Sequence, residues 1–151
     1  LYLVCLLFKL FCIQMSQSLK HYKLISIFNS TTIYIIINTH IRNGKYYDNF
    51  IDNPRVQKLE RIKSSESSYW IYSLLVDDKE SFRKYLNSHD IACDEVHVRN
   101  DKYTVFSHFR EEELHGVNEF ENRMLNIPVG WWVKEKEAER ITDIINKYEN
   151  N

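Results

Sequence analysis

SSYWIYSLLVDD, residues 67–78, decides the fold. From Tyr69 to Val76 the run is aromatic and aliphatic, with Ser73 as the one polar break. That pattern predicts a strand covered on both faces. Asp77 and Asp78 follow at once, and an aspartate there can cap a helix whose apolar positions are Phe82, Tyr85 and Leu86. Asn87–Asp90 closes that helix.

Working downstream, Ile91–Val98 predicts a second short strand, with Ile91, Cys93 and Glu95 on one face. Val117, Phe120, Met124 and Leu125 stand at helical spacing, and Pro128 and Gly130 stop that helix. Glu135–Tyr148 is the clearest helix: Ala138, Ile141, Ile144, Ile145 and Tyr148 form one apolar stripe. Its acids Glu135, Glu137 and Glu139 lie in the first half and Lys147 near the end, which suits the helix dipole.

Working upstream, Lys58–Ser68 is polar and reads as a connector. His40–Ile51 has partly helical spacing, weakened by Gly44 and broken by Asn53 and Pro54. Thr31–Asn38, TTIYIIIN, is dense in β-branched residues and predicts a buried strand, although a run this short is also compatible with a helix. The expected fold class is therefore α+β, a small mixed or antiparallel sheet with helices packed on it.

The 151 residues fit one domain of ordinary size or one domain with a tail. A 44% hydrophobic and 27% charged composition argues against disorder over the whole chain. Three glycines argue against a Gly-rich phosphate cradle. Three cysteines without a CxxC pair argue against a disulfide scaffold or a four-cysteine zinc site, and point to a reducing, cytoplasmic setting. A net charge of −1 gives no electrostatic reason to expect nucleic acid. Residues 1–50 carry five basic residues against Asp48 alone, so the remainder is acidic. The apolar start, Leu1–Ile13, is interrupted by Lys9 after eight residues, whereas a spanning helix needs roughly 20 apolar residues. It has neither a basic leader region nor a small-residue cleavage site.

The densest polar cluster is His97-Val98-Arg99-Asn100-Asp101, after an expected strand end. It is either a polar turn with a surface ion pair or a binding edge in which Arg99 and Asn100 meet phosphate or hydroxyl oxygens and His97 donates or carries a proton. His97, His108 and His115 have irregular spacing and no HExxH, so they are expected to be surface histidines and no metal site is expected. Cys93 reads as a half-buried structural thiol rather than a nucleophile paired with His97. Glu111–Glu113 reads as a solvated acidic face. Trp131-Trp132 reads as a packing anchor, with a rim for a ligand or partner as the alternative.

Taken in order, SSYWIYSLLVDD (67–78), DEVHVRNDKYTVF (94–106) and IPVGWWVKEKEAERITDII (127–145) resemble the C-terminal part of the DegT/StrS family of sugar aminotransferases, with HIRNGKYYD (40–48) as a softer match. The resemblance covers roughly residues 40–150. It implies the small C-terminal domain of a fold-type I enzyme that uses pyridoxal phosphate (PLP). In the intact family a large domain holds PLP on a lysine, two subunits build each active site, and an amino group passes from glutamate to a keto-sugar nucleotide. By this resemblance His97, Arg99 and Asn100 face the sugar substrate, as contacts and not as catalysts. Asp90 stands where the family usually has Gly, and His115 where it often has Pro.

No stretch here resembles the setting of the PLP lysine, the aspartate that pairs with the pyridine nitrogen, or the phosphate-binding loop. The resemblance thus sets residues 39–151 apart as the aminotransferase-like domain and leaves residues 1–38 as an apolar segment without an assigned role. It implies no PLP lysine, no catalytic residue and no transamination by this chain alone, unless a large-domain partner supplies the coenzyme. A homodimer is a further expected assembly. A non-catalytic sugar-nucleotide-binding module and a membrane-tethered protein are the alternative readings.

Overall fold

The computed structural model describes residues 22–96, 99–109 and 114–149, and the chain divides into two units, Leu1–Ile36 and Ile37–Asn151. The element order is helix α1 (Tyr22–Phe50), strands β1 (Val56–Lys58) and β2 (Tyr72–Val76), helix α2 (Lys79–Ser88), two 3-10 turns (Asn100–Lys102 and Thr104–Phe109), helix α3 (His115–Arg123), strand β3 (Met124–Ile127) and helix α4 (Glu135–Asn146). No helix among the described residues is long and apolar enough to cross a membrane.

The decisive stretch forms the centre of a three-stranded antiparallel sheet in the order β1-β2-β3. Val56 pairs with Val76 on one side, and Ser73 and Leu74 pair with Asn126 and Leu125 on the other. Side chains alternate across a strand, so the register sorts the residues into two faces. Tyr72, Leu74, Val76, Leu125 and Ile127 belong to the buried core, together with Phe82 and Leu86 of α2, Ala138, Ile141 and Ile145 of α4, and Tyr47 and Ile51 from the end of α1 onward. Ser73, Leu75, Met124 and Asn126 share the opposite face. The strand expected to be covered on both faces is fully buried on one only: β2 alternates buried and half-buried residues, and its second face forms the floor of a groove.

The α2 cap forms as expected, with Asp78 Oδ1 accepting from the Ser81 backbone N–H at 3.0 Å. This hydrogen bond is the first reason that the Asp78 carboxyl stays below its usual range. Asp90 adopts φ 56, the left-handed conformation that an aspartate tolerates better than most residues. Helix α4 buries Ala138, Ile141 and Ile145, and Tyr148 beyond it packs edge-on against Phe82 at 4.8 Å.

Two buried asparagines tie α1 and its C-terminal extension to the β3–α4 segment. Asn43 Nδ2 donates to the carbonyls of Val129, Gly130 and Val133, and Asn53 Nδ2 to those of Ile145 and Tyr148. Tyr47 donates to the Pro128 carbonyl at 2.7 Å. Gly44 has a packing role that its helix-weakening character hides: a Cβ there would stand 2.0 Å from Tyr69 Cδ1. Tyr69 itself sits at φ 48, strained for a bulky residue. Its carbonyl accepts from His40 Nδ1 at 3.0 Å, and its hydroxyl donates to Asp48 Oδ2 at 2.5 Å. Tyr72 donates to the other oxygen of Asp48, and the Arg61 guanidinium lies 4.6 Å from the centre of the Tyr69 ring.

Four further expectations are corrected. Thr31–Asn38 is part of α1, not a strand; no described strand pairs with it, and β-branched residues follow their context. Ile91–Val96 contributes one isolated bridge, Asp94 to Asn126, instead of a full strand. The helix read through Leu125 ends at Arg123, and Met124 and Leu125 start β3. The connector read over Lys58–Ser68 begins one residue too early, because Lys58 ends the edge strand β1, whose Val56 and Gln57 carried no reading.

Candidate functional site

The second face of the sheet carries an open groove of about 480 Å³. Its floor is Ile71 and Ser73 beside Met124 and Asn126. One wall is the α3 face with Val117, Phe120 and Glu121, and the other is Arg99 and Asn100. Helix α3 has no buried residue and no side-chain N-cap, so it forms a thin wall. Val117 and Phe120 remain exposed, and a helix that buries little apolar surface owes its position to other ties.

Those ties are ionic. Arg99 grips both carboxylate oxygens of Asp101, Nε to Oδ1 at 2.9 Å and Nη2 to Oδ2 at 2.6 Å, while Nη1 donates to Asn118 Oδ1 and lies 3.5 Å from Glu121 Oε2. Lys102 bonds the same Glu121 carboxylate, and Lys79 Nζ donates to the Glu121 carbonyl at 2.7 Å. Lys79 and Arg83 also hold Glu95; burial pushes its carboxyl up, but their hydrogen bonds and charges bring it below the usual range.

Of the residues singled out from the sequence, Arg99 and Asn100 are brought to the groove, and His97 lies outside the described residues, as does Glu111–Glu113. Sequence reasoning missed Asn126, which it placed beyond a helix, although Ser73 carried a signal as the only polar residue of an apolar strand. Ser73 Oγ donates to Asn126 Oδ1 at 2.7 Å across the β2–β3 pair.

The tryptophan pair is not a packing anchor. Trp131 is 59% and Trp132 63% exposed, and their neighbours Val129 and Val133 fill the core instead. The Trp132 ring meets His40 edge-on at 6.4 Å and Trp131 at 5.9 Å. Cys93 is half-buried and its thiol is pushed up by burial, opposite to the activation a nucleophile needs. Among the described residues no group of three His, Cys, Asp or Glu side chains can hold a metal ion.

A PLP site needs a lysine in a pocket and backbone N–H donors for the phosphate. Among the described residues Lys58 is spent on the carbonyls of Asp48 and Ile51, Lys79 on Glu95 and the Glu121 carbonyl, and Lys102 on Glu121. No lysine lines the groove or the two smaller hollows, around Pro54 and around Tyr46. The groove and these two hollows do not fit the coenzyme.

Neither a protein-family model nor a curated protein matches the sequence. Solved structures do. AtS13 from Actinomadura melliaura matches 80% of this chain with 29% identity and a TM-score of 0.76. The sugar aminotransferase CalS13 from Micromonospora echinospora matches 74% of it, also with 29% identity, at a TM-score of 0.69. The fold is that of part of a sugar aminotransferase. A DegT/DnrJ/EryC1/StrS aminotransferase from Brucella abortus shares the fold at 17% identity, a TM-score of 0.63 and 73% coverage of this chain. The chain spans about a third of the length of each, 32%, 30% and 30% respectively.

Proposed function

We propose that this chain is the substrate-side portion of a sugar-nucleotide aminotransferase, in which the intact enzyme transfers an amino group to a keto-sugar nucleotide through PLP. The observation that carries the reading is the match to AtS13 and CalS13, at 29% identity over 74–80% of the chain. The groove between Arg99, Asn100 and α3 is the surface offered to the substrate, and His97 is kept as a candidate substrate contact by the sequence resemblance alone. The lysine that holds PLP comes from outside the described residues, on a partner domain whose docking surface includes the exposed Trp131 and Trp132. The setting is the cytoplasm, a reading supported by three cysteines without a CxxC pair.

Incubating the purified 151-residue chain with PLP and following absorbance near the visible edge tests the division of labour. The expected result is no band of lysine-bound coenzyme and no lysine labelled after borohydride. One lysine fixed in this way, with amination of a keto-sugar nucleotide by the chain unaided, overturns it.

A further inference from the structure

The floor of the groove contains a polar pair that no ion network absorbs. Asn126 is 7% exposed, and its Oδ1 is taken by the Ser73 hydroxyl. Its backbone N–H and C=O are both used by Asp94. The side-chain Nδ2, with two N–H donors, has no partner among the described residues. Either orientation of the amide leaves one end open to the water of the groove and not sealed inside the protein, so a ligand oxygen can take the place of that water. Ser73 keeps a free lone pair on the same side once its proton is given to Asn126.

The surrounding charges determine what can satisfy that pair. Arg99 is the one cation among the groove-lining residues, and its guanidinium is already committed to Asp101, Asn118 and Glu121. Glu121 places a carboxylate on the same wall. A phosphate entering here would meet that carboxylate and find no free positive charge. The other lining groups, Ile71, Val117, Phe120 and Met124, are apolar, and Phe120 presents 41% of its surface. Donors on the floor and an aromatic face on the wall suit a ring that carries hydroxyls on its edge and C–H groups on its face.

Building on the proposed function, we infer that the Ser73–Asn126 pair reads an uncharged oxygen of the substrate, so that this groove takes the sugar ring and the diphosphate lies outside it. Ser73 and Asn126 are then specificity-determining residues, while Arg99 is a positioning residue that fixes the groove wall. The volume of about 480 Å³ is within the range of small-molecule sites.

Titrating the isotope-labelled full chain with UDP-glucose and, separately, with UDP tests this by nuclear magnetic resonance. The expected result is movement of the Asn126 side-chain amide and Phe120 ring signals with UDP-glucose and none with UDP. Asn126→Asp removes the donors and should weaken UDP-glucose about tenfold, the upper end of one uncharged hydrogen bond. Ser73→Ala, at a less buried position, is the second variant and should weaken it about threefold while the amide spectrum stays folded. Equal movement of the groove signals with UDP alone overturns the inference and leaves the proposed function standing. So does UDP-glucose binding that moves only signals elsewhere in the chain, or binding that neither variant weakens. If neither compound moves any signal, the proposed function falls and the inference with it.

Discussion

The two faces of one small sheet are built by opposite means. The closed face holds Tyr72, Leu74 and Leu125 against α2, α4 and the end of α1, with buried asparagines joining the helices to the loops. The groove face is held by Arg99, Lys102 and Glu121, which span its walls without filling the space between them. Apolar burial stabilises in proportion to the area removed from water, whereas ion pairs at a groove edge are partly screened and contribute less. One face is therefore the source of stability, and the other is free to accept a ligand.

The sharpest way to break the contrast is alkali, because the tyrosines with shifted ionisation cluster on the closed side. Burial pushes Tyr47 and Tyr72 well above the ordinary value near 10, and Asp48 adds to the shift at Tyr72. Burial, then Asp48, also raises Tyr69. The folded state favours the neutral phenol. Its contribution is complete below the ordinary value and is lost as pH climbs past it toward the raised folded value. Cooperative unfolding above about pH 10 should accompany tyrosinate formation, as read by absorbance at 295 nm beside circular dichroism. Ionisation of all ten tyrosines near their ordinary value with the fold intact would show that the closed face is not closed.

Single substitutions sharpen the same contrast. Leu125→Ala should cost about 2–5 kcal/mol in a urea titration, the range for a fully buried leucine. Phe120→Ala, on the groove wall five residues earlier, should cost less than about 1 kcal/mol. Comparable losses at the two sites would mean that the groove is a collapsed part of the core. Asn43→Ala comes next, at about 2 kcal/mol, because carbonyls of Val129, Gly130 and Val133 lose their donor inside the protein. The same measurement reads it, and an unchanged midpoint would mean that water replaces the amide.

The same asymmetry explains what the sequence made legible. Helices α2 and α4 were readable because their signals are local: an aspartate cap before Phe82 and Leu86, and the stripe from Ala138 to Ile145. The β3 strand was not, because Met124 and Leu125 continue the helical spacing of Val117 and Phe120, and only pairing with β2 shows where the helix ends. Edge strand β1 is three residues long and has no pattern to read. At the site, Arg99 and Asn100 stood out by polar density. The Ser73–Asn126 pair joins residues 53 apart, and no local spacing encodes that contact. Gly44 and Tyr69 were misread for a related reason: one looks like a helix breaker and the other like a strand residue until their mutual packing is seen.

The smallest expected effect lies in the β3–α4 turn, where the two kinds of surface meet within three residues. Val133 is buried and its carbonyl is held by Asn43, whereas Trp131 stands in solvent. Large apolar residues are expected to bury themselves, so a tryptophan pair beside a core valine invites the reading that the tryptophans anchor the turn. The anchoring is done by the valines and by the Asn43 amide. Trp131→Ser should therefore shift the unfolding free energy by no more than about 0.5 kcal/mol, while Val133→Ala should cost about 2 kcal/mol. A tryptophan loss as large as the valine loss would place the ring inside the core and restore the anchor reading. A near-zero value would leave the two indoles free to meet another surface, at no cost to the fold that carries them.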